Sequence, residues 1–158
     1  MMPEWIQDMF KAVIPGIIIA TLTSILTVRL AIRRFHEEKW WEKKQNVYSS
    51  LLETLHHLKN YYAEHYEDQI NHDHITDEKR EELTKDWKKF SREFVKSLDL
   101  ASFHLSSEAV AVLDKYEKKK AEARKSGNIF DWIEGDFVAA SECLEELKKA
   151  AKHDLKVK

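Results

Sequence analysis

The chain is poor in residues that break helices or staple small folds. Its 158 residues include one cysteine, three glycines and two prolines. A lone thiol, Cys143, excludes an intramolecular disulfide, so no oxidising compartment is required and a cytoplasmic setting is expected. Neither glycine nor proline falls between Ile17 and Ser126. A stretch that long, rich in Glu, Lys, Leu and Ala, reads as helix throughout. An excess of either charge is also lacking: 26 Lys and Arg stand against 28 Asp and Glu. That balance removes any general electrostatic case for nucleic acid as a partner. The sequence has no Gly-rich phosphate loop, G-x-S-x-G, H-E-x-x-H or cysteine pair, so no common catalytic motif announces an enzyme and no cofactor is implied.

What is present is one long apolar run, Ala12 to Ile32. As a helix its 21 residues rise roughly 31 Å, the thickness of a bilayer's hydrocarbon core. A cleaved signal peptide has basic residues before a shorter apolar region. Here Glu4, Asp8 and Lys11 precede the run, Arg29 lies in its last turn, and Arg33, Arg34, Lys39, Lys43 and Lys44 follow it. The positive-inside rule then predicts an uncleaved span with residues 1–11 outside, 12–32 in the bilayer and 33–158 in the cytoplasm. The expected location is the plasma membrane. Trp5 and Phe10 are expected at the outer interface, and Pro15 in the first turn of the span, where a missing N–H costs least.

Two small-residue rows run along the span, Gly16, Ala20 and Ser24 beside Thr23, Thr27 and Ala31. Small residues four apart let transmembrane backbones approach, which points to a homo-oligomer. The alternative is that the hydroxyls bond back to their own helix. In an oligomer the same face could also line a narrow wet path. From the last turn of the span onward, Arg29, Arg33, Arg34, Lys39, Trp40, Trp41, Lys43 and Lys44 combine basic and aromatic side chains. Beside a membrane that mixture predicts contact with anionic headgroups, in preference to single-stranded nucleic acid.

Beyond the span the helix is expected to continue to about Gln69. Tyr48, Leu51, Leu55, Leu58, Tyr62 and His65 recur every three or four residues and form a core-facing seam. A turn is predicted over 71–77, with Thr76 or Asp77 as cap, followed by a helix through Leu83, Trp87, Phe90, Phe94, Leu98 and Ala101. Ser106 or Ser107 caps a third helix through Val110, Leu113 and Tyr116. Gly127 is expected as a left-handed helix terminator. A last helix is expected to open on Asp131 and Glu134 in capping-box spacing, with Ile133, Phe137, Ala140, Leu144, Leu147 and Ala151 inward. The predicted fold is all-α: one N-terminal transmembrane helix continuing into a cytoplasmic four-helix bundle.

Five of the eight histidines lie between His56 and His74. Glu53 and His56 match the E-x-x-H motif of di-iron bundles, but once only, and no second copy completes a site. His57 and His65 stand about 12 Å apart along a helix, too far for one metal ion. His72-Asp73-His74 on a turn reads as caps or solvated surface. Cys143, beside Glu142 and Glu145, should have a raised thiol pKa and low reactivity. Lys59, Asn60 and His65 form a degenerate version of the R-x4-6-H motif of HEPN ribonuclease bundles. Lysine in place of arginine loses the planar fork that grips phosphate.

Over residues about 10–62, the run RFHEEKWWEKKQNVYSSLLETLHHLKNYY resembles small bacterial single-span membrane proteins with a juxtamembrane EKWWEKK signature. In layout the chain is similar to CRISPR-associated accessory membrane proteins, which join one span to a degenerate HEPN-like bundle. That resemblance implies a non-enzymatic effector that oligomerises and permeabilises the membrane during phage defence. The alternative is a membrane-tethered adaptor with a cytosolic protein partner.

Overall fold

The computed structural model describes residues 3–71 and 75–157, apart from the side chains of 4–12 and 14. Among the described residues there are four helices and no strand: α1 (Glu4–Asn71), α2 (Asp77–His104), α3 (Ser107–Ala123) and α4 (Ile129–Leu155). The chain divides into two compact units, Met1–Trp41 and Glu42–Lys158.

In the first unit, helix α1 is already formed at Glu4, so the segment ahead of the apolar run is helical. Pro15 therefore lies inside the helix, not in its first turn. It removes one backbone hydrogen bond from the ladder at that point. The helix is long and apolar enough to cross a membrane. Every residue from Pro15 to Lys43 is exposed, including Ile19 and Leu22 at 65% and 62%. Thirteen exposed large apolar side chains in this stretch, from Val13 to Trp41, are not covered by protein. Water would disfavour that much apolar surface, and lipid would not.

The second unit gathers its apolar residues into one core. From α1 come Tyr48, Leu51, Leu55, Leu58 and Tyr62, as the seam predicts, with Val47 beside them, whereas His65 of the seam is only partly buried. Phe90, Phe94 and Ala101 of α2 meet them, with Ala109, Leu113 and Tyr116 of α3 and a stripe of α4. Complete burial of leucines such as Leu51 and Leu55 contributes about 1.5–3 kcal/mol each. Thr76, Ser106 and Asn128 cap α2, α3 and α4 by accepting backbone N–H bonds from Lys79, Ala109 and Phe130. The cap of α4 thus falls on Asn128, and Asp131 sits inside the first turn. Gly127 does take a left-handed φ of 71°, but in the turn after α3 has ended at Arg124. The helix that ends on a left-handed residue is α4, at Lys156.

The stripe on α4 differs from the apolar reading. Ile133 and Phe137 are only partly buried, whereas Asp136, Ala139, Ala140, Cys143, Leu144, Leu147, Ala150 and Ala151 face inward. Small residues dominate, which lets α3 come close. At Gly135 a methyl group would stand 2.5 Å from the Ala123 Cβ.

Candidate functional site

The concave feature with apolar walls and convergent polar groups lies within the second unit. It has a volume of about 430 Å³ and is lined from α1 by Tyr61, Tyr62, His65 and Gln69, from α2 by Trp87 and from the α3–α4 end by Arg124, Ile129, Trp132, Ile133 and Asp136. That size and mixture are those of a small-molecule site. A larger concavity, along α2 from Asp77 to Lys96, draws all its lining from one helix and is mostly charged, so it is solvated helix surface.

The seam of α1 presents Tyr61, Tyr62 and His65 to the cavity. The Tyr61 ring contacts His65 at 4.3 Å and Trp87 at 5.7 Å between centroids. Trp87 points its indole N–H at the Tyr62 hydroxyl, 3.5 Å away. Across the cavity the Arg124 guanidinium stands 5.6 Å from the Trp132 ring centre, a cation–π contact at the mouth.

The floor is polar and incompletely satisfied. Asp136 is 3% exposed, and its Oδ1 finds no hydrogen-bond partner among the described residues. Neither does His65 Nε2; the buried Tyr116 hydroxyl, outside the cavity lining, also lacks one. Burial raises the Asp136 pKa, against the lowering pull of Lys120, Arg124 and the Tyr62 hydroxyl. Burial likewise lowers the His65 pKa, with Asp68 opposing and Arg80 assisting, which favours the neutral imidazole. Buried polar atoms without partners are costly, and perturbed titratable groups in an aromatic cleft mark a functional candidate.

Of the residues singled out from the sequence, Lys59, Asn60 and His65 do not converge. Lys59 lies 6.0 Å from the Phe137 ring, Asn60 pairs with His56 at 3.2 Å, and only His65 lines the cavity. His57 stacks on Phe90 at 3.7 Å. Cys143 is buried and its thiol is pushed up to about 12, by burial first and then by Glu146 and Glu117. The direction matches expectation, but the neighbouring charges responsible are not those of Glu142 and Glu145. His72, Asp73, His74 and the side chains of Trp5 and Phe10 lie outside the described residues.

On the apolar segment, Gly16, Ala20, Ser24 and Ala31 are exposed. Thr23 and Thr27 donate to the carbonyls of Ile19 and Thr23, both at 2.8 Å, so their hydroxyls are satisfied within the helix. Arg29 and Lys43 are exposed, as are Lys39, Trp40 and Trp41. Arg33 pairs with Glu37 and Arg34 with Glu38 on the same helix. Lys44 is half-buried and reaches Asp154 at 3.8 Å inside the second unit. Asp154 also accepts the Tyr48 hydroxyl at 2.6 Å and the Ser106 N–H at 3.1 Å.

These features define an all-helical protein with one helix long and apolar enough to cross a membrane. No family model, curated protein or solved structure matches the chain.

Proposed function

We propose that this is a single-pass inner-membrane protein, N-terminus outside, whose cytoplasmic helical bundle receives a small-molecule signal and passes it to the bilayer. The carrying observation is one of chain topology. Four residues of the aromatic cavity sit on α1, the same helix whose earlier residues form the exposed apolar segment. Occupation of the cavity biases the packing of α1. The bilayer end of that helix carries Gly16, Ala20 and Ser24 in a row suited to self-association. The output is clustering of spans and perturbation of the membrane, without an enzymatic step. On the layout resemblance, the setting is anti-phage defence.

A potential-sensitive dye in a bacterial host expressing the full chain tests the reading. Depolarisation is expected, with loss when residues 12–32 are replaced by an unrelated span. Unchanged potential and normal growth under all conditions that occupy the cavity refute it. The adaptor reading has its own support in Leu100 and Phe103 of α2, 51% and 69% exposed, which suit a protein partner. An adaptor keeps its function after the span is exchanged.

A further inference from the structure

The cavity combines three features whose chemistry narrows the ligand. Its walls are aromatic: Tyr61 and Trp87 from α1 and α2, Trp132 from α4. Such walls hold a flat ring by stacking, whatever the ring's identity. Its floor carries the Asp136 carboxyl oxygen and the His65 ring nitrogen, each closed to bulk water and lacking a protein partner. A carboxyl and an imidazole nitrogen on one lining suit the edge of a nitrogen heterocycle, which offers N–H donors next to ring acceptors. Its mouth carries Arg124, held over Trp132.

Charge decides between the two ligand classes that aromatic walls admit. An organic cation, such as a quaternary ammonium, needs an acidic surround. Here the lining sets one carboxyl, Asp136, against one guanidinium, Arg124, and nearby Lys120 is paired with Glu117 at 3.2 Å. The surround is therefore not the acidic one an organic cation needs, and the guanidinium at the mouth suits a ligand with an anionic group beside Arg124.

Resting on the reading of the cavity as a signal-receiving site, we infer that it binds a mononucleotide. The base stacks against Trp132 and the Tyr61–Trp87 pair, its edge meets Asp136 and His65, and its phosphate meets Arg124.

Calorimetric titration of the detergent-solubilised full chain tests this, using AMP and GMP, the nucleosides adenosine and guanosine, and choline. Saturable binding of at least one nucleotide is expected. Trp132→Ala, at a half-exposed site that tolerates truncation, should weaken it about tenfold or more, the scale of one base–aromatic stack. Asp136→Asn, nearly isosteric, should weaken nucleotide and nucleoside alike. Arg124→Gln should weaken the nucleotide and leave the nucleoside unchanged. Helix content by circular dichroism confirms that each variant is folded. Absence of saturable binding by both nucleotides, binding of choline in their place, or unchanged affinity in folded Trp132→Ala and Asp136→Asn overturns the inference. Failure of the broader reading looks different. Nucleotides that bind in the cavity without altering the dye response uphold the ligand class and sink signal transfer. A dye response abolished by Trp132→Ala, with no nucleotide bound, does the reverse.

Discussion

The approach of α3 to α4 holds Arg124 over Trp132, and Gly135 is the residue that permits it. A methyl group at Gly135 would meet the Ala123 Cβ at 2.5 Å and its Cα at 3.6 Å. Ala123 has no side-chain torsion with which to swing a heavy atom aside, so the backbones must part. Overpacking of this kind costs about 1–3 kcal/mol. Alanine for glycine inside a helix returns at most about 1 kcal/mol of propensity. The net expectation for Gly135→Ala is a loss of about 1–2 kcal/mol, or roughly 5–30-fold in the population of opened molecules. Cys143 supplies the assay, because it is the single thiol in the chain and is buried in the same helix. Its rate of maleimide labelling, in detergent-solubilised full chain, follows the opened population when closing is fast. Gly135→Ala should speed labelling by that factor. Adding Ala123→Gly, which deletes the obstructing methyl, should recover most of it. If the single variant labels at the parental rate, or if the double variant labels no more slowly than the single, the contact does not hold the two helices together.

Two tyrosines give a matched pair of expectations for urea unfolding followed by tryptophan fluorescence. Tyr48→Phe removes the 2.6 Å hydrogen bond to Asp154 and should cost about 1.5–3 kcal/mol, as bonds to charged groups do. Tyr116→Phe removes a buried hydroxyl with no partner among the described residues, so stability should hold or rise by about 1 kcal/mol. The ring keeps its edge contact with Phe94 in that variant. For Asp154, burial is the largest single influence and pushes the pKa up. Hydrogen bonds from Tyr48 and Ser106 and the charge of Lys44 outweigh it and leave the carboxyl below the usual range. Its folded pKa is thus below its unfolded one of about 3.9, so its contribution is intact above that pH and lost as pH falls through the folded value. Asp154→Asn should flatten that part of the acid-unfolding curve, read by the same fluorescence. In the apolar segment, a Cβ at Gly16 meets nothing within 4 Å. Gly16→Leu should therefore leave the unfolding curve unchanged while reducing cross-linking between copies in membranes; Thr27→Val, whose hydroxyl is already spent on Thr23, should reduce it little.

The seam of α1 was legible because its inward residues are nearly all apolar and recur at helical spacing. Tyr48, Leu51, Leu55, Leu58 and Tyr62 were found by that rule and are buried. The caps were legible for the same kind of reason, since Thr76 and Ser106 are short hydroxyls standing just ahead of periodic segments. On α4 the rule misled. It placed Ile133 and Phe137 inward, because they extend the apolar spacing backwards from Ala140 and Leu144. Ala140, Leu144, Leu147 and Ala151 are buried as the pattern expects, but the buried set also takes in Asp136, Ala139, Cys143 and Ala150. A pattern that admits only apolar residues passes over a buried acid and puts Ile133 and Phe137 in its place. Spacing alone, with small residues counted as core, would have included Asp136.

That omission is also why the cavity was not visible in the sequence. Its residues are drawn from three helices and a turn, and only Trp87, Tyr62, His65 and Ile133 belong to any periodic seam. His65 was considered as one half of a pair with Lys59, six residues away on the same helix. Its actual neighbours, Tyr61 and Trp87, are an adjacent ring on α1 and a residue of α2 more than twenty positions on. Sequence spacing measures proximity along one helix and is silent about proximity between helices. The polar floor depends on the second kind: Asp136 comes from α4 and Tyr62 and His65 from α1, and each alone would read as an ordinary core or surface residue. Their juxtaposition leaves a carboxyl oxygen and an imidazole nitrogen buried and short of partners, at a cost that folding alone gives no reason to retain. A ligand that completes those hydrogen bonds removes the cost. Occupation should therefore tighten the packing of α1 against α4.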